Sequence, residues 1–499
     1  ELINAELPEN QTRYFQQQAF SFAEKGKSNS LLESMVGQDA MKLANIPENL
    51  QQIENQLSAD VLYYEKLLAD KPKNSTQIRD SLLSANRRHT EFVNLLEKEF
   101  PEYHQLKYAD NTVTLNELQQ KLPQSTQLVM YFLGDEDLYA LRITNDDFSI
   151  DIQQVFNNIG DTVRLYRNSI LQTSQRAMKD FCRLSNKFCD LLFPDSIAFN
   201  IKHLVVIPDG ALNQIPFESL ITAEVAGSVY DYASYQFLIR RFSVAYAYSA
   251  TLYYRSIVRT KQSTANGWLG LAPVFTAGKY SGVLLDSRIK KFERDFTDIE
   301  VVNNNKLEPL PSSEPEVRNI FTMFVKAGLP AKACLWGSAN RLNFSSDSIS
   351  NFKFIHLATH GFVNPEKPEL SGVQLSCLKD DKQNGVLYSS DVYGLKLNCD
   401  LLILSACETG LGKIMKGEGI VGLSRAFIYA GSKNLLVSLW KVSDSSTSLL
   451  MMDFYKQLFA KENEGLGYAE LLQKAKLSLM SDKNYVRPYY WSPFILIGN

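Results

Sequence analysis

The chain has 499 residues, of which 45% are hydrophobic and 21% charged, and its formal net charge is −3. At roughly 150 residues per domain this length predicts two to four domains, and the composition is typical of a globular protein with buried cores. The nearly balanced charge does not indicate nucleic acid or an anionic membrane surface as a partner. No apolar run approaches the roughly 20 residues that a transmembrane helix needs.

The first residues, ELINAELPENQTRYF, are polar and lack an initiator methionine, so no signal peptide is visible. We therefore expect a fragment or a processed chain, whose upstream part could hold a targeting signal. The six cysteines are widely spaced and form no CxxC pair. This usage favours free thiols in a reducing compartment, and we expect a cytoplasmic protein.

Residues 1–112 have the pattern of an α-helical segment. Three stretches, 11–35, 46–70 and 76–100, carry apolar residues at helical spacing, and Pro101 ends the third. No clean repeat of about 34 residues is visible. The segment is therefore predicted to be a helical hairpin or the end of a helical repeat array.

From about residue 113 the pattern changes to short apolar runs separated by helical stretches, beginning with two strands around a Gly134-Asp135 turn. Further strands are predicted within residues 201–207, 267–275, 352–361, 400–407 and 433–440. Helices are predicted within residues 151–170, 177–193, 313–328, 419–431 and 446–460. Because buried runs alternate with helices, the sequence predicts a largely parallel sheet covered on both faces.

Two parts of this region are predicted to depart from that alternation. Residues 372–391 have the pattern of a hairpin inserted between two core strands, with its turn near Asn384-Gly385. Residues 262–312 contain polar stretches and are predicted to form a surface excursion.

Two reactive side chains follow the ends of two predicted strands. His360 directly follows the run FKFIHLAT and precedes Gly361. Cys407 directly follows the run DLLILSA, 47 residues after His360. Functional groups in open parallel sheets collect past the carboxyl ends of strands. There, a thiolate nucleophile and an imidazole that moves its proton suffice for covalent catalysis. The N–H groups of Gly361 and Cys407 are candidates for an oxyanion hole.

Each of the two residues alone has a simpler interpretation. A buried cysteine usually fills apolar space, and a single histidine is usually structural. It is the joint placement at strand ends that favours catalysis. Four glycines after the cysteine also predict a loop that can move over the site: Gly410, Gly412, Gly417 and Gly419.

A series of motifs from residue 201 to the last residue resembles one known family. They are, in order, VVIPDGALNQIPFESL, FSVAYAYSATL, LGLAP, LPSSEPEV, HLATHG, LLILSACETG, GEGIVGLSRAFIYAGSKNLLVSLWKVSD and YYWSPFILIGN. With these motifs, residues 113–499 resemble the CHAT domain, a caspase-like family of clan CD cysteine peptidases that is often attached to tetratricopeptide repeats. In caspases, too, the catalytic histidine lies about 50 residues before the cysteine.

The resemblance implies a caspase-like α/β/α sandwich with a mostly parallel central sheet, preceded by an α-helical segment. It divides the chain into that segment (1–112), a non-catalytic half (113–260) and a catalytic half (261–499). It also implies a cysteine endopeptidase that needs no cofactor and acts on a protein substrate, with Cys407 as nucleophile and His360 as base. A repeat region or a regulatory protein partner is expected to control it, and neither nucleic acid nor membrane is expected as a partner.

Three further residues are candidates for substrate binding: Asp209, Glu418 and Trp440. The two acids lie in loops near strand ends, where they could receive a basic P1 side chain, although solvated loop acids are commoner. Trp440 ends a strand and could line the same pocket or simply pack beside it. His356 lies four residues before His360, with no spaced ligands that would indicate a metal, so we predict no metal site and either a core residue or one that supports the catalytic residues from behind.

Two alternatives to the peptidase stay open from the sequence. The first is a CHAT scaffold or signalling module that keeps the fold without turnover. The second is a thiol hydrolase acting on a small amide or ester, which a deep, enclosed pocket would favour. An alkylation rate of Cys407 well above that of the other five cysteines would argue against the first.

Overall fold

The structure is a computed structural model. It describes residues 9–27, 31–32, 35, 41, 44, 46–69, 75–101, 112–155, 158–194, 197–225, 228–258, 265–275, 308–345, 347–364, 366–377, 385–405, 412–415 and 419–499. Cys407 and Glu418, two of the predicted site residues, and Asn384 of the predicted turn lie outside the described residues.

The N-terminal segment is helical, as the sequence predicts. Its long helices are α1 (Glu9–Lys25), α2 (Glu48–Ala69) and α3 (Ser75–Glu99). Helices α2 and α3 pack against each other, and His89 Nε2 on α3 lies 3.2 Å from a carboxylate oxygen of Glu54 on α2. The two helices therefore form the predicted hairpin.

In the described part of the chain, the strands follow this segment. In chain order they are β1 (Thr126–Leu133), β2 (Asp137–Ile143), β3 (Phe148–Gln154), β4 (His203–Ile207), β5 (Ser243–Tyr246), β6 (Gly267–Ala272), β7 (Ala331–Leu335), β8 (Phe352–Ala358), β9 (His360–Phe362), β10 (Gly372–Gln374), β11 (Val386–Tyr388), β12 (Leu401–Ser405), β13 (Lys413–Met415), β14 (Gly419–Val421), β15 (Asn434–Ser438) and β16 (Phe494–Ile497). Within the described residues, eleven of them form one sheet in the order β3-β2-β1-β4-β5-β16-β15-β12-β8-β6-β7.

The direction of the strands changes in the middle of this sheet. The last strand, β16, is parallel to β5 on one side and antiparallel to β15 on the other. Strands β1, β4, β5 and β16 are parallel to one another, and so are β15, β12, β8, β6 and β7. The carboxyl ends of β4 and β5 therefore lie at the opposite edge of the sheet from those of β8, β12 and β15.

Two small sheets accompany the large one. β9, β10 and β11 form an antiparallel three-stranded sheet, in which Val373 faces Gly361 on one side and Leu387 on the other. This sheet contains the hairpin that the sequence predicts and adds β9, which carries His360. β13 and β14 form a separate antiparallel hairpin.

Helices cover both faces of the large sheet. They are α4 (Leu115–Lys121), α5 (Ile159–Leu171), α6 (Gln175–Leu192), α7 (Ala250–Val258), α8 (Ser313–Lys326), α9 (Arg341–Phe344), α10 (Ser389–Val392), α11 (Leu423–Tyr429), α12 (Asp444–Phe459), α13 (Tyr468–Met480) and α14 (Pro488–Trp491). On β1, Val129 and Tyr131 belong to one core, whereas Leu128 and Met130 belong to a second core on the other face. Phe20 of α1, 1% exposed, also belongs to the second core.

This arrangement confirms the predicted α/β/α sandwich with a mostly parallel sheet, preceded by a helical segment. No helix in the described part of the chain is long and apolar enough to cross a membrane.

Two predicted helices begin later than the sequence analysis placed them. The helix predicted from residue 151 begins at Ile159, because residues up to Gln154 belong to β3, which pairs with β2 along its length. The helix predicted from residue 419 begins at Leu423, because β14 precedes it. In both cases pairing with a neighbouring strand outweighs the local helical pattern.

Candidate active site

Strands β8 and β12 are direct neighbours and bring the two predicted catalytic positions to one edge of the sheet. Both are buried apolar runs, and they pair in parallel with Ala358 opposite Ser405. One further hydrogen bond continues the pairing, from the Thr359 N–H to the Ser405 carbonyl at 3.3 Å. His360 follows Ala358 by two residues, and Cys407 follows Ser405 by the same number.

His360 has a defined hydrogen-bond partner in this structure. Its Nε2 lies 2.6 Å from the backbone carbonyl oxygen of Glu308. Because a carbonyl oxygen can only accept, Nε2 carries the proton and donates, which leaves Nδ1 as the nitrogen that can take a proton from another group. The ring of Phe275 lies beside the imidazole, with 5.2 Å between the ring centroids.

The backbone that carries His360 is fixed by the small sheet. His360 and Gly361 face Gln374 and Val373 on β10. The hydroxyl of Thr359, which is buried, donates to the carbonyl of Gln374. The histidine and the proposed oxyanion-hole glycine therefore lie on one short, paired strand.

A small cleft, open to solvent, lies at this edge of the sheet. Its floor includes Thr359, Ser405 and Ser438, at the carboxyl ends of β8, β12 and β15. Its walls include Glu316 and Asp444, from the first turns of α8 and α12. The cleft therefore lies directly beside the strand ends that lead to His360 and Cys407.

The two carboxylates of the cleft have different partners. Glu316 is buried and pairs with His356, with 2.7 Å between Oε1 and Nε2. His356 is fully buried, and its ring packs beside those of Trp268 and Tyr455. Asp444 accepts a hydrogen bond of 2.6 Å from the Ser312 N–H.

His356 is thus a core residue in contact with a buried carboxylate. Within the described ranges no group of three or more His, Cys, Asp or Glu residues could hold a metal ion.

Asp209 is buried and paired with Lys27, and its role in substrate binding stays a prediction. It follows β4, whose carboxyl end is at the opposite edge of the sheet. Its carboxylate is 4% exposed, lies 2.8 Å from the ammonium of Lys27 and accepts the Leu133 N–H at 2.8 Å. Its side chain therefore joins the helical segment to the sheet, and its placement gives no support to a role in binding substrate.

Trp440 lies at the same edge of the sheet as His360, but its side chain is buried. The indole is 2% exposed, and its N–H donates to the carbonyl of Tyr489 at 3.2 Å. Its role in substrate binding stays a prediction, and the same holds for Glu418.

The sequence analysis missed Glu308, Glu316 and Asp444. Glu316 and Asp444 stand in the motifs LPSSEPEV and WKVSD, which contributed to the resemblance but received no role. Glu308 acts through its backbone carbonyl, which every residue type has, so no side-chain pattern could have identified it.

The profile of the CHAT domain matches residues 184–499, which is more than half of the chain. The chain belongs to the CHAT domain family. The match begins inside α6, whereas β1, β2 and β3 precede it and continue the same sheet. His360 and the neighbours of Cys407 lie within the matched CHAT domain.

Two curated relatives are named as tetratricopeptide repeat proteins. Tetratricopeptide repeat protein 28 of Mus musculus is 32% identical over 114 residues, and that of Homo sapiens is 32% identical over 117 residues. Each match covers 23% of this chain and 4% of the relative. The chain thus spans a small part of the length of these relatives.

Solved structures show a distant likeness. The separase–securin complex of Saccharomyces cerevisiae is 9% identical, with 90% of this chain and 37% of that chain covered and a TM-score of 0.48. The Arg-specific cysteine proteinase gingipain R is 10% identical, with coverages of 68% and 74% and a TM-score of 0.37.

Proposed function

We propose that this CHAT domain is a cysteine endopeptidase with a Cys407–His360 dyad. The observation that carries the proposal is the placement of His360. It stands past the end of β8, with Nε2 bound by the Glu308 carbonyl and Nδ1 left for a thiol, at the rim of a cleft. The strand that leads to Cys407 is the direct neighbour of β8.

The register between β8 and β12 supports the pairing of the two residues. Neighbouring strands lie about 4.8 Å apart, and both residues follow paired positions by the same number of residues. A chain that leaves β12 by two residues can therefore bring the thiol within hydrogen-bond reach of the imidazole, which is the geometry that nucleophile and base need.

The proposed reaction has two halves. The Cys407 thiolate attacks the scissile carbonyl, and the N–H groups of Gly361 and Cys407 hold the oxyanion of the tetrahedral intermediate. His360 donates its proton to the leaving amine as the C–N bond breaks, which leaves an acyl-enzyme. Water, with His360 now as base, then hydrolyses the thioester and restores the thiol.

For the substrate we propose a polypeptide with a basic P1 residue received by Asp444. Of the two carboxylates in the cleft, Glu316 is already paired with His356. Asp444 accepts a backbone hydrogen bond through Oδ2, and within the described part of the chain Oδ1 has no hydrogen-bond partner, so we assign the cation to it. The open form of the cleft suits a peptide chain better than a small enclosed ligand.

We also propose that the helical segment regulates this site. Two buried charged residues near the end of α1 attach it to the sheet. Glu24, 1% exposed, accepts the N–H groups of Ala250 and Thr251 at 2.9 and 2.7 Å, and so caps the start of α7. Lys27, 3% exposed, pairs with Asp209, and burial lowers the pKa of its ammonium despite that partner.

Two sets of contacts lead from these helices toward the catalytic residues. The short helix Gly210–Gln214, directly after Asp209, touches the β13–β14 hairpin that follows Cys407 in the chain. Helix α2 touches α10, which follows β11 in the small sheet that holds His360. A shift of the helical segment would therefore reach both sides of the dyad.

The proposed partners are a protein substrate and a regulator, either a separate protein or an upstream repeat region, that acts on the helices. We place the protein in the cytoplasm, where the nucleophilic thiol stays reduced.

The test is cleavage of a peptide library prepared from a cell lysate, read by mass spectrometry of new peptide ends. We expect the wild-type chain to cut, and Cys407→Ala to lose at least about a thousand-fold in rate, since a nucleophile acts as a unit with its base. Cys182→Ala is the matched control and should cut like wild type. Equal cleavage by Cys407→Ala would rule out the dyad, and no cleavage by any form would favour a silent scaffold.

A further inference from the structure

Residues 308–312, called the strap here, cross the rim of the cleft and hold the partner of His360. The strap is attached at three points. The Leu310 N–H donates to the Val274 carbonyl at 2.8 Å. The Ser312 N–H donates to Asp444 at 2.6 Å, and the Glu308 carboxylate forms an ion pair with Lys441.

Hydrogen bonds hold the backbone around Lys441 in place. The Leu439 N–H donates to the Pro493 carbonyl at 3.0 Å, and Trp440 is buried with its indole N–H bound. The hydroxyl of Tyr489 donates to the carbonyl of Lys441 at 3.2 Å. The ammonium of Lys441 is therefore presented to the strap from a fixed position after β15.

Glu308 touches this anchor and the histidine with different atoms. Its carboxylate meets Lys441, and its carbonyl meets His360. The pKa of its carboxyl is lowered, mainly by the hydrogen bond and charge of Lys441 and to a smaller extent by His360. The same residue therefore connects the loop after β15 to the imidazole.

We propose that Lys441 is a positioning residue for the reaction, acting through Glu308 on His360. This inference rests on the proposed peptidase function. By holding the Glu308 side chain, Lys441 keeps the backbone carbonyl of the same residue against Nε2. That contact fixes the tautomer with the proton on Nε2 and turns Nδ1 toward the thiol.

The size of the effect follows from exposure. The side chains of Lys441 and Glu308 are 57% and 70% exposed, and exposed ion pairs make small contributions to structure. We therefore expect Lys441→Met and Glu308→Gln to lower kcat about two- to five-fold with KM unchanged, since orientation acts on the chemical step.

The closing experiment measures the imidazole nitrogen shifts of His360 by NMR in the full chain, a readout that needs no turnover. We expect wild type to show the Nε2–H tautomer, and Lys441→Met and Glu308→Gln to show a mixture of tautomers. The charge-swapped double variant, Glu308→Lys with Lys441→Glu, should recover the wild-type tautomer and most of kcat. Lys433→Met, which breaks an ion pair with Asp400 at the other edge of the sheet, should change neither.

An unchanged tautomer in both single variants would overturn the positioning role, whether or not the chain cleaves peptides. Loss of the Nε2–H tautomer in the charge-swapped variant would also overturn the positioning role, because the reversed ion pair would then fail to hold His360 as the native pair does. A chain that shows the expected tautomers but cuts no peptide would contradict only the proposed peptidase.

Discussion

At the scale of single residues, burial makes most of the described cysteines poor nucleophiles. It raises the pKa of Cys189 and Cys334 to about 11 and that of Cys399 to about 12. The pKa of Cys182 is also raised by burial, although less. A thiol with a pKa of 11 is ionised in roughly one molecule in 10⁴ at pH 7, and the thiolate is the reactive form.

We expect iodoacetamide at pH 7 to label Cys407 about a hundred times faster than Cys182, because an adjacent imidazole lowers the pKa of a thiol. Between pH 6 and pH 9 the rate at Cys182 should rise with pH, since its pKa is raised, whereas the rate at Cys407 should already be near its plateau. Mass spectrometry of the labelled peptides measures both. His360→Ala should restore the pH dependence of Cys407, and equal rates at Cys407 and Cys182 would argue against an activated thiol.

At the scale of elements, the chain's own patterns predicted the parts of the fold that depend on local sequence. The runs that became β8, β12 and β15 were predicted because each is continuously apolar, as in sheets buried on both faces. The long helices of the first 99 residues were predicted from their spacing. Strands β5, β7 and β16 were missed, although they are about as short as β4, β12 and β15, which were predicted.

The sequence could predict that Asp209 follows a strand but not the direction of that strand. The direction of β4 relative to β8 depends on β16. That strand comes from the last residues of the chain and pairs with both halves of the sheet. Such long-range pairing leaves no local pattern, so the sequence could not show which edge of the sheet Asp209 occupies.

The attachment of α1 leads to a test at the same scale. Lys27→Met leaves the buried carboxylate of Asp209 without its cation, and removing one partner of a buried pair is strongly destabilising. We expect hydrogen exchange in residues 210–214 and 408–422 to become at least about ten-fold faster, since local opening follows the local free energy.

The matched control is Arg87→Met, which breaks an exposed ion pair on α3 and should leave both segments unchanged. Lys27→Met combined with Asp209→Asn removes the unpaired charge and should restore part of the protection. Equal exchange of residues 408–422 in the two single variants would contradict a connection from the helices to the loop after Cys407.

At the scale of the whole molecule, the two predicted halves of the CHAT domain are joined by more than the sheet. Lys476 of α13 is 1% exposed and lies 3.0 Å from Glu218, which also accepts the hydroxyl of Tyr246 at 2.5 Å. Arg167 of α5 donates to the Leu439 carbonyl at 3.1 Å, next to the loop that carries Lys441. Residues 113–260 thus support the loop beside the cleft, and the helical segment contacts both predicted halves.

The most direct measurement is a crystal structure of the full chain after reaction with a peptide that carries an electrophile in place of the scissile bond. The account predicts a covalent bond to the Cys407 sulfur, with His360 Nδ1 about 3 to 4 Å from that sulfur and Nε2 still on the Glu308 carbonyl. The peptide should run along the cleft, with its P1 side chain toward Asp444. A bond to another residue, or a separation of Cys407 and His360 beyond about 7 Å in the trapped state, would contradict the dyad.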